Sequence, residues 1–388
     1  MMEPRKPIIA LLTNNDDDVY CFRLELLQAI LDEGYELLVS CPNGPKLALP
    51  ELQEMHYHYD DVQIDRRGTN VIHDGKLFWH YYKLFKKYRP AVVLTYTAKP
   101  NVYGSIAANT RKIPVINNVT GFGSVLNKTG VLRAFIMGLF RTAFSHSACV
   151  MFQNSTNMKM AEETGLVKGK SILIPGSGVN TERYPLQPYP SGGDGLTGDP
   201  VIFNYIGRIL HDKGVDDYFE AARRIRAKYP KTEFNVLGFV EPTESRYEGI
   251  LEQLGRDGIV LYRGSQQDVK PWIARSHAII HPSVYGEGMS NVLLENASSG
   301  RPVITTDNPG CRETVEDGIT GFRYPGGDVD ALTAQIERFL AMSNEQRRQM
   351  GMEGRAKVQR EFERKIVIEK YLGEIRNGLQ EDNPVQEC

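Results

Sequence analysis

Two doubly wound parallel α/β sheets, one after the other, are predicted by three observations on this 388-residue chain. Short, continuous Val/Ile/Leu runs alternate with longer amphipathic stretches, the pattern of strands covered by helices on both faces. The pattern stops at a stretch rich in Pro and Gly, then starts again. The length also exceeds one ordinary core and suits two domains of about 200 residues each.

In order, "PIIALLT" reads as a buried strand and "YCFRLELLQAILDEG" as an amphipathic helix closed by Gly34. "YELLVSCP" is a strand, "LFWHYYKLFKKYRP" a helix, "AVVLTYT" a strand and "NVYGSIAANTRK" a helix. "PVINNVTG" and "VMFQN" complete the strands of the first half. "PLQPYPSGGDGLTGDP" is nearly devoid of apolar residues and reads as a linker. After it come strand "VIFNYIGR", helix "VDDYFEAARRIRAKYP", strand "TEFNVLG", a helix near 243–255 and strand "IVLYRG". Helix "DVKPWIARS", strand "AIIHPS", helix "SNVLLENASSG" and strand "PVITT" follow. The expected boundaries are a first domain over 1–184, a linker over 185–200 and a second domain over 201–362. The remaining helix, 363–388, has no strand after it and is expected to cross back to the first domain.

Composition is that of a soluble globular protein, 41% hydrophobic and 24% charged with net charge −2. The balance is uneven: residues 1–185 carry 21 Lys+Arg against 17 Asp+Glu, the rest 25 against 31. No acidic residue occurs between Asp74 and Glu162, while twelve basic ones do. Such a block predicts an anionic partner: phosphate, anionic lipid or nucleic acid. Five scattered cysteines suit reduced thiols and support neither a disulfide framework nor a zinc site. The first apolar run is too short for a signal peptide, and no apolar run is long enough to span a bilayer. A cytoplasmic location is expected.

Ligands of doubly wound sheets bind at the carboxyl ends of the strands. There, "YIGRILHDKGVDD" places Gly207, Arg208 and Lys213 around a strand-to-helix loop, two cations that can converge on a diphosphate. Each charge-assisted bond is worth roughly 1.5–3 kcal/mol. In "HPSVYGEGMSNVLLENASSG", Gly286 and Gly288 permit close backbone approach, and the following helix start favours phosphate oxygens. Two carboxylates beside a phosphate site are costly unless they accept hydroxyl hydrogens. Glu287 therefore points to a sugar and Glu295 to a ribose. Helix "NVLLENA" is otherwise almost wholly apolar, where an unpaired acid would be unfavourable. "DNPGCRETVEDGITGF" adds a second loop at Pro309-Gly310 and turns at Gly318 and Gly321.

Arg208 with Lys213, the E-x7-E of Glu287 and Glu295, and "GRPVITTDNPGCRETVEDGITGF" together resemble the retaining, family-four glycosyltransferases of GT-B fold, two Rossmann-like domains facing across a cleft. "PGSGVNTERY" is similar to the family's interdomain segment. The resemblance implies that Arg208 and Lys213 neutralise the donor's diphosphate, with Gly288, Met289 and Ser290 offering backbone amides. It implies that Glu287 holds the donor sugar and Glu295 the nucleotide ribose. "VLTYTAKPNVYGSIAA" and "PVINNVTGFGSVL" further resemble bacterial transferases of capsule, O-antigen and lipid-linked glycan assembly. That subgroup implies a UDP-linked hexose or N-acetylhexosamine donor and a saccharide acceptor carried on polyprenyl diphosphate. It also implies placement on the inner membrane surface through the basic first domain, with no nucleic acid, metal or cofactor.

Departures from the family pattern fall on the acceptor side. Asn14 and Asn15 stand where many relatives have glycines, and Thr120 where many have a histidine. Asn14, Asn15, Lys99, Thr120, Gly121 and Phe122 are the acceptor-side candidates. "VLRAFIMGLFRTAF", 131–144, reads equally as an interfacial or a buried helix. The chemistry implied is front-face substitution without a metal, in which the leaving diphosphate takes the acceptor proton. Asp16-Asp17-Asp18 suggests a metal-binding DxD, but its place at a helix start fits capping better. A UDP-N-acetylglucosamine 2-epimerase would share the two-domain build and remains the alternative.

Overall fold

The computed structural model describes residues 6–65, 71–122 and 130–381. The chain divides into two compact units, Met1–Ser177 with Lys365–Cys388, and Gly178–Arg364. The first holds seven strands: β1 (Ile8–Leu12), β2 (Glu36–Cys41), β3 (His58–Asp61), β4 (Val92–Tyr96), β5 (Val115–Val119), β6 (Cys149–Phe152) and β7 (Ser171–Leu173), in the order β3-β2-β1-β4-β5-β6-β7. The second holds β8 (Val201–Ile206), β9 (Thr232–Leu237), β10 (Leu261–Tyr262), β11 (Ala278–His281), β12 (Val303–Thr306) and β13 (Gly321–Tyr324), ordered β10-β9-β8-β11-β12-β13. Every strand pair described is parallel.

The continuous apolar runs are explained by burial on both faces. Ile9 and Leu11 of β1 enter one core, and Ile8, Ala10 and Leu12 the other. In β11, Ala278 and Ile280 face one core and Ile279 the opposite one. Each order reverses once, between β1 and β4 and between β8 and β11, so each unit has one crevice at its strands' carboxyl ends.

Elements with weak apolar patterns escaped the sequence reading. "HYDD" forms β3, largely exposed and pairing Leu38 with His58. The turn-rich stretch after Pro309 contains β13, which pairs Val303 with Gly321. The expected helix over 101–112 is a π-helical turn, Pro100–Gly104, running into a short α-helix, Ser105–Asn109. In the helix Gly130–Phe144 the later residues Phe140, Ala143 and Phe144 are core, while Phe135 is 54% exposed. Lys128 and residues 123–126 lie outside the described residues.

The stretch 185–200 is not a linker: it lies inside the second unit. Its carbonyls take the guanidinium hydrogens of buried arginines, Pro188 from Arg301 at 2.7 Å and Gly193 from Arg347 at 2.9 Å. Backbone carbonyls supplied what apolar side chains did not. The last helix, Arg364–Glu381, belongs to the first unit from Lys365 onward, with Val367, Tyr371 and Ile375 in its core.

Candidate functional site

The crevice of the second unit is flanked by the loops after β8 and β11. Gly207 follows β8, its N–H on Leu237 O at 2.9 Å, and the buried Tyr205 hydroxyl holds the Arg208 carbonyl at 2.7 Å. The loop continues to Lys213 and Gly214. Val284 N–H donates to Asp212 O at 3.1 Å, joining the two loops. Gly214 has φ +69, and a Cβ there would lie 1.9 Å from Pro282 O. Only glycine lets the loops approach this closely.

The loop after β11 rests in turn on the one after β12. Glu287 N–H donates to Pro309 O at 3.0 Å and Ser290 N–H to Gly310 O at 2.8 Å. Gly310, at φ +85, would set a Cβ 2.7 Å from Glu287 O. Of the three amides expected to face the donor, the one on Ser290 is therefore spent inside the protein. The Met289 side chain is buried beneath the helix Asn291–Ser298. No described atom would touch a Cβ on Gly286, so packing does not require glycine there.

These loops bring Lys213 and Glu287 together: Nζ lies 2.6 Å from Oε1, and both side chains are 14% exposed. The same oxygen lies 2.9 Å from His281 Nε2, at the end of β11. Burial raises the Glu287 carboxyl, but the Lys213 ammonium and His281 outweigh it and hold the group well below the usual carboxylate range. Cys311 Sγ, with His281 and Glu287, falls in a group whose ligand atoms all lie within 4.8 Å. Burial, then Glu287, pushes that thiol up. Lys213 Nζ stands on the carboxylate of that same trio. Arg208 is half-exposed and pairs at 3.0 Å with the buried carboxylate of Glu241, on the loop after β9.

Glu295 sits on the helix Asn291–Ser298. Burial pushes its carboxyl up to about 7, against the opposing pull of the Tyr184 hydroxyl, Arg364 and Arg183. His281, Glu241 and Tyr184 were missed in the sequence. A histidine closing the apolar run "AIIH" was a usable signal for the first. Glu241 had none, since its partner lies 33 positions away.

The first unit's crevice is furnished differently. Asn15 caps the helix Asp16–Asp32, its side chain accepting from Asp18 N–H at 2.7 Å, and its amide donates to Asn14 at 2.7 Å. Asp16 accepts the Lys46 N–H at 2.8 Å and Asp18 the Thr13 hydroxyl at 2.7 Å, so both carboxylates are engaged as loop ties. Lys99 pairs with Asp74 at 2.6 Å and lines a cavity of about 580 Å³ with His73 and His80. Phe122 is not a surface residue: it is 3% exposed and packs edge-on against Phe140. Thr120 and Gly121 are half-buried beside it.

Residues 193–357 match the family model of glycosyl transferases group 1, and residues 9–154 that of a glycosyl transferase 4-like family. The chain is 23% identical over 376 residues to N,N'-diacetylbacillosaminyl-diphospho-undecaprenol alpha-1,3-N-acetylgalactosaminyltransferase of Campylobacter jejuni, covering 94% of this chain and 97% of that protein. It is 27% identical over 323 residues to the capsular polysaccharide biosynthesis glycosyltransferase CapM of Staphylococcus aureus, covering 81% and 84%. Among solved structures, sucrose-phosphate synthase of Thermosynechococcus elongatus superposes with a TM-score of 0.77 at 20% identity, covering 97% of this chain and 100% of that one. HepE of Anabaena, in complex with UDP and glucose, gives 0.74 at 17%, covering 95% and 99%. At those identities the structures speak for the fold.

Proposed function

The chain belongs to the glycosyltransferases of GT-B fold, and from that premise we propose a retaining, metal-independent transfer of a hexose or N-acetylhexosamine from a UDP-sugar to a saccharide on polyprenyl diphosphate. The observation that carries this reading is the Lys213–Glu287 pair, set at 2.6 Å in the second unit's crevice with Arg208 on the same loop. A diphosphate needs the cations and a sugar's hydroxyls need the carboxylate. Glu295, about one turn along the helix, takes ribose hydroxyls when ionised.

In the reaction the acceptor oxygen bonds to the sugar's anomeric carbon as the carbon–phosphate oxygen bond breaks. The acceptor proton passes to the departing diphosphate on the same face. Arg208 and Lys213 stabilise the charge that develops there. The lipid-linked acceptor is supported by the Campylobacter jejuni relative, whose name carries diphospho-undecaprenol.

The membrane surface is the expected workplace, and the helix Val71–Tyr88 supports it. Ile72, Lys76, Trp79, Lys83 and Lys86 recur every three to four residues, so they share one face, with Trp79 57% exposed. An aromatic among lysines suits an anionic leaflet. No described helix is long and apolar enough to cross a membrane. The rest of the basic block is partly spent locally: Arg141 caps the Thr164 and Gly165 carbonyls and Lys159 faces Glu163.

The test is nucleotide diphosphate release from a panel of UDP- and GDP-sugars in EDTA, with and without extract containing lipid-linked saccharides. Release from a UDP-sugar that needs the extract and vanishes in Glu295→Ala is expected. Free UDP without an acceptor, with a 2-epimer accumulating, would instead establish an epimerase.

A further inference from the structure

His281 is buried, its side chain 3% exposed, and its ring stacks on Tyr205 at 6.4 Å between centroids. Nε2 lies 2.9 Å from the Glu287 oxygen that Lys213 Nζ approaches at 2.6 Å. One carboxylate oxygen thus carries two donors. A carboxylate facing Nε2 requires the proton there, while Nδ1 has no partner among the described residues. The other titratable groups gathered at the imidazole are Lys213, Cys311 and Tyr205.

A donor diphosphate asks Lys213 for the charge it now gives to Glu287. If the ammonium were the carboxylate's sole partner, turning to the phosphate would strand a buried anion, and the lysine would stay where it is. We propose that His281 is a positioning residue for the donor: its Nε2–H keeps the Glu287 carboxylate in place so that Lys213 can turn to the diphosphate. This rests on reading the second unit as the nucleotide-sugar site.

Calorimetry with UDP on the full chain tests it. His281→Gln carries an amide N–H to about where Nε2 sits, whereas His281→Asn is one methylene too short. Gln is expected to keep the UDP dissociation constant within threefold of wild type, and Asn and Leu to raise it at least tenfold. In a Glu287→Gln background the Asn and Leu effects should vanish, because the coupling runs through the carboxylate. A fold role alone would lower the thermal midpoint of all three variants alike without separating Gln from Asn, and that result overturns the proposal. So does wild-type affinity in His281→Asn. If wild type itself binds neither UDP nor GDP, the donor reading fails and takes this proposal with it. Should His281→Leu not fold, the Gln and Asn pair decides.

Discussion

Each unit contains one lysine tied to one carboxylate in nearly the same way. Lys99–Asp74 and Lys213–Glu287 are both 2.6 Å long, and all four side chains are 14–15% exposed. What differs is the setting. Asp74 also accepts the Tyr103 hydroxyl at 2.9 Å, so its pair is closed by a neutral donor on a helix. Glu287 is joined by His281, lies next to a loop bearing Arg208, and faces a helix whose first turn has no acid. The helix leaving β1 begins instead with Asp16, Asp17 and Asp18, so the positive end of its dipole is already occupied by its own carboxylates. Fixed negative charge therefore stands at the helix start of one crevice and is absent from that of the other. The pairs are alike in geometry; what separates the two crevices is the charge at the neighbouring helix start.

The sharpest way to break that comparison is to remove both lysines in turn. Lys213→Ala and Lys99→Ala each remove the ammonium from a largely buried carboxylate that keeps its second donor, His281 or Tyr103, and each is expected to lower unfolding stability by about 2 kcal/mol in urea titrations. Function should separate them. Lys213→Ala is expected to reduce turnover about 100- to 1,000-fold, the loss typical of one group stabilising developing charge. Lys99→Ala should keep UDP affinity within twofold. Equal losses of UDP affinity would mean that the first unit's pair serves the donor as well.

Much of this was legible in the sequence, and the limits have physical causes. Period and burial made β1, β4, β8 and β11 readable, because a strand covered on both faces must be apolar throughout. The placement of Gly207, Arg208, Lys213 and Glu287 on the loops after β8 and β11 was readable because those loops flank the crevice of a doubly wound sheet. Stretch 185–200 was misread because its order comes from Arg301 and Arg347 reaching backbone carbonyls, which composition does not register. The burial of Phe122, an acceptor-side candidate, was not legible, because its ring completes a cluster with Phe140 and Phe152 that lie 18 and 30 positions further on. The amide of Ser290 is taken by Gly310, a residue whose necessity shows only once the loop after β12 lies against it.

Within the second unit, Glu295 separates from Glu287 by its response to pH. Burial leaves its carboxyl near 7, so in the ligand-free protein it binds a proton that the unfolded chain has already lost at the usual carboxylate pH. Its contribution to stability is therefore present at low pH and declines as pH rises through that window toward 7. On the proposed reading of Glu295 as the ribose ligand, binding has the opposite sign, because hydroxyls donate to the ionised form. UDP affinity should rise by up to about tenfold per unit from pH 6 to 7 and then level. The difference between wild type and Glu295→Gln isolates this group from the phosphate's own titration. Parallel profiles for the two proteins would remove Glu295 from the ribose.

The smallest effect belongs to the first crevice. Asn15 holds the Asp18 N–H at 2.7 Å at the start of a helix whose first turn carries three acids. Asn15→Ala removes that acceptor and should cost about 1 kcal/mol in unfolding stability, the usual worth of such a cap. UDP affinity should not change. Asn15→Asp restores the acceptor but adds a fourth carboxylate beside Asp16, Asp17 and Asp18. It should regain stability in full only when salt screens the group. A salt-independent recovery would show that the acids are already neutralised, and the charge contrast between the two crevices would shrink accordingly.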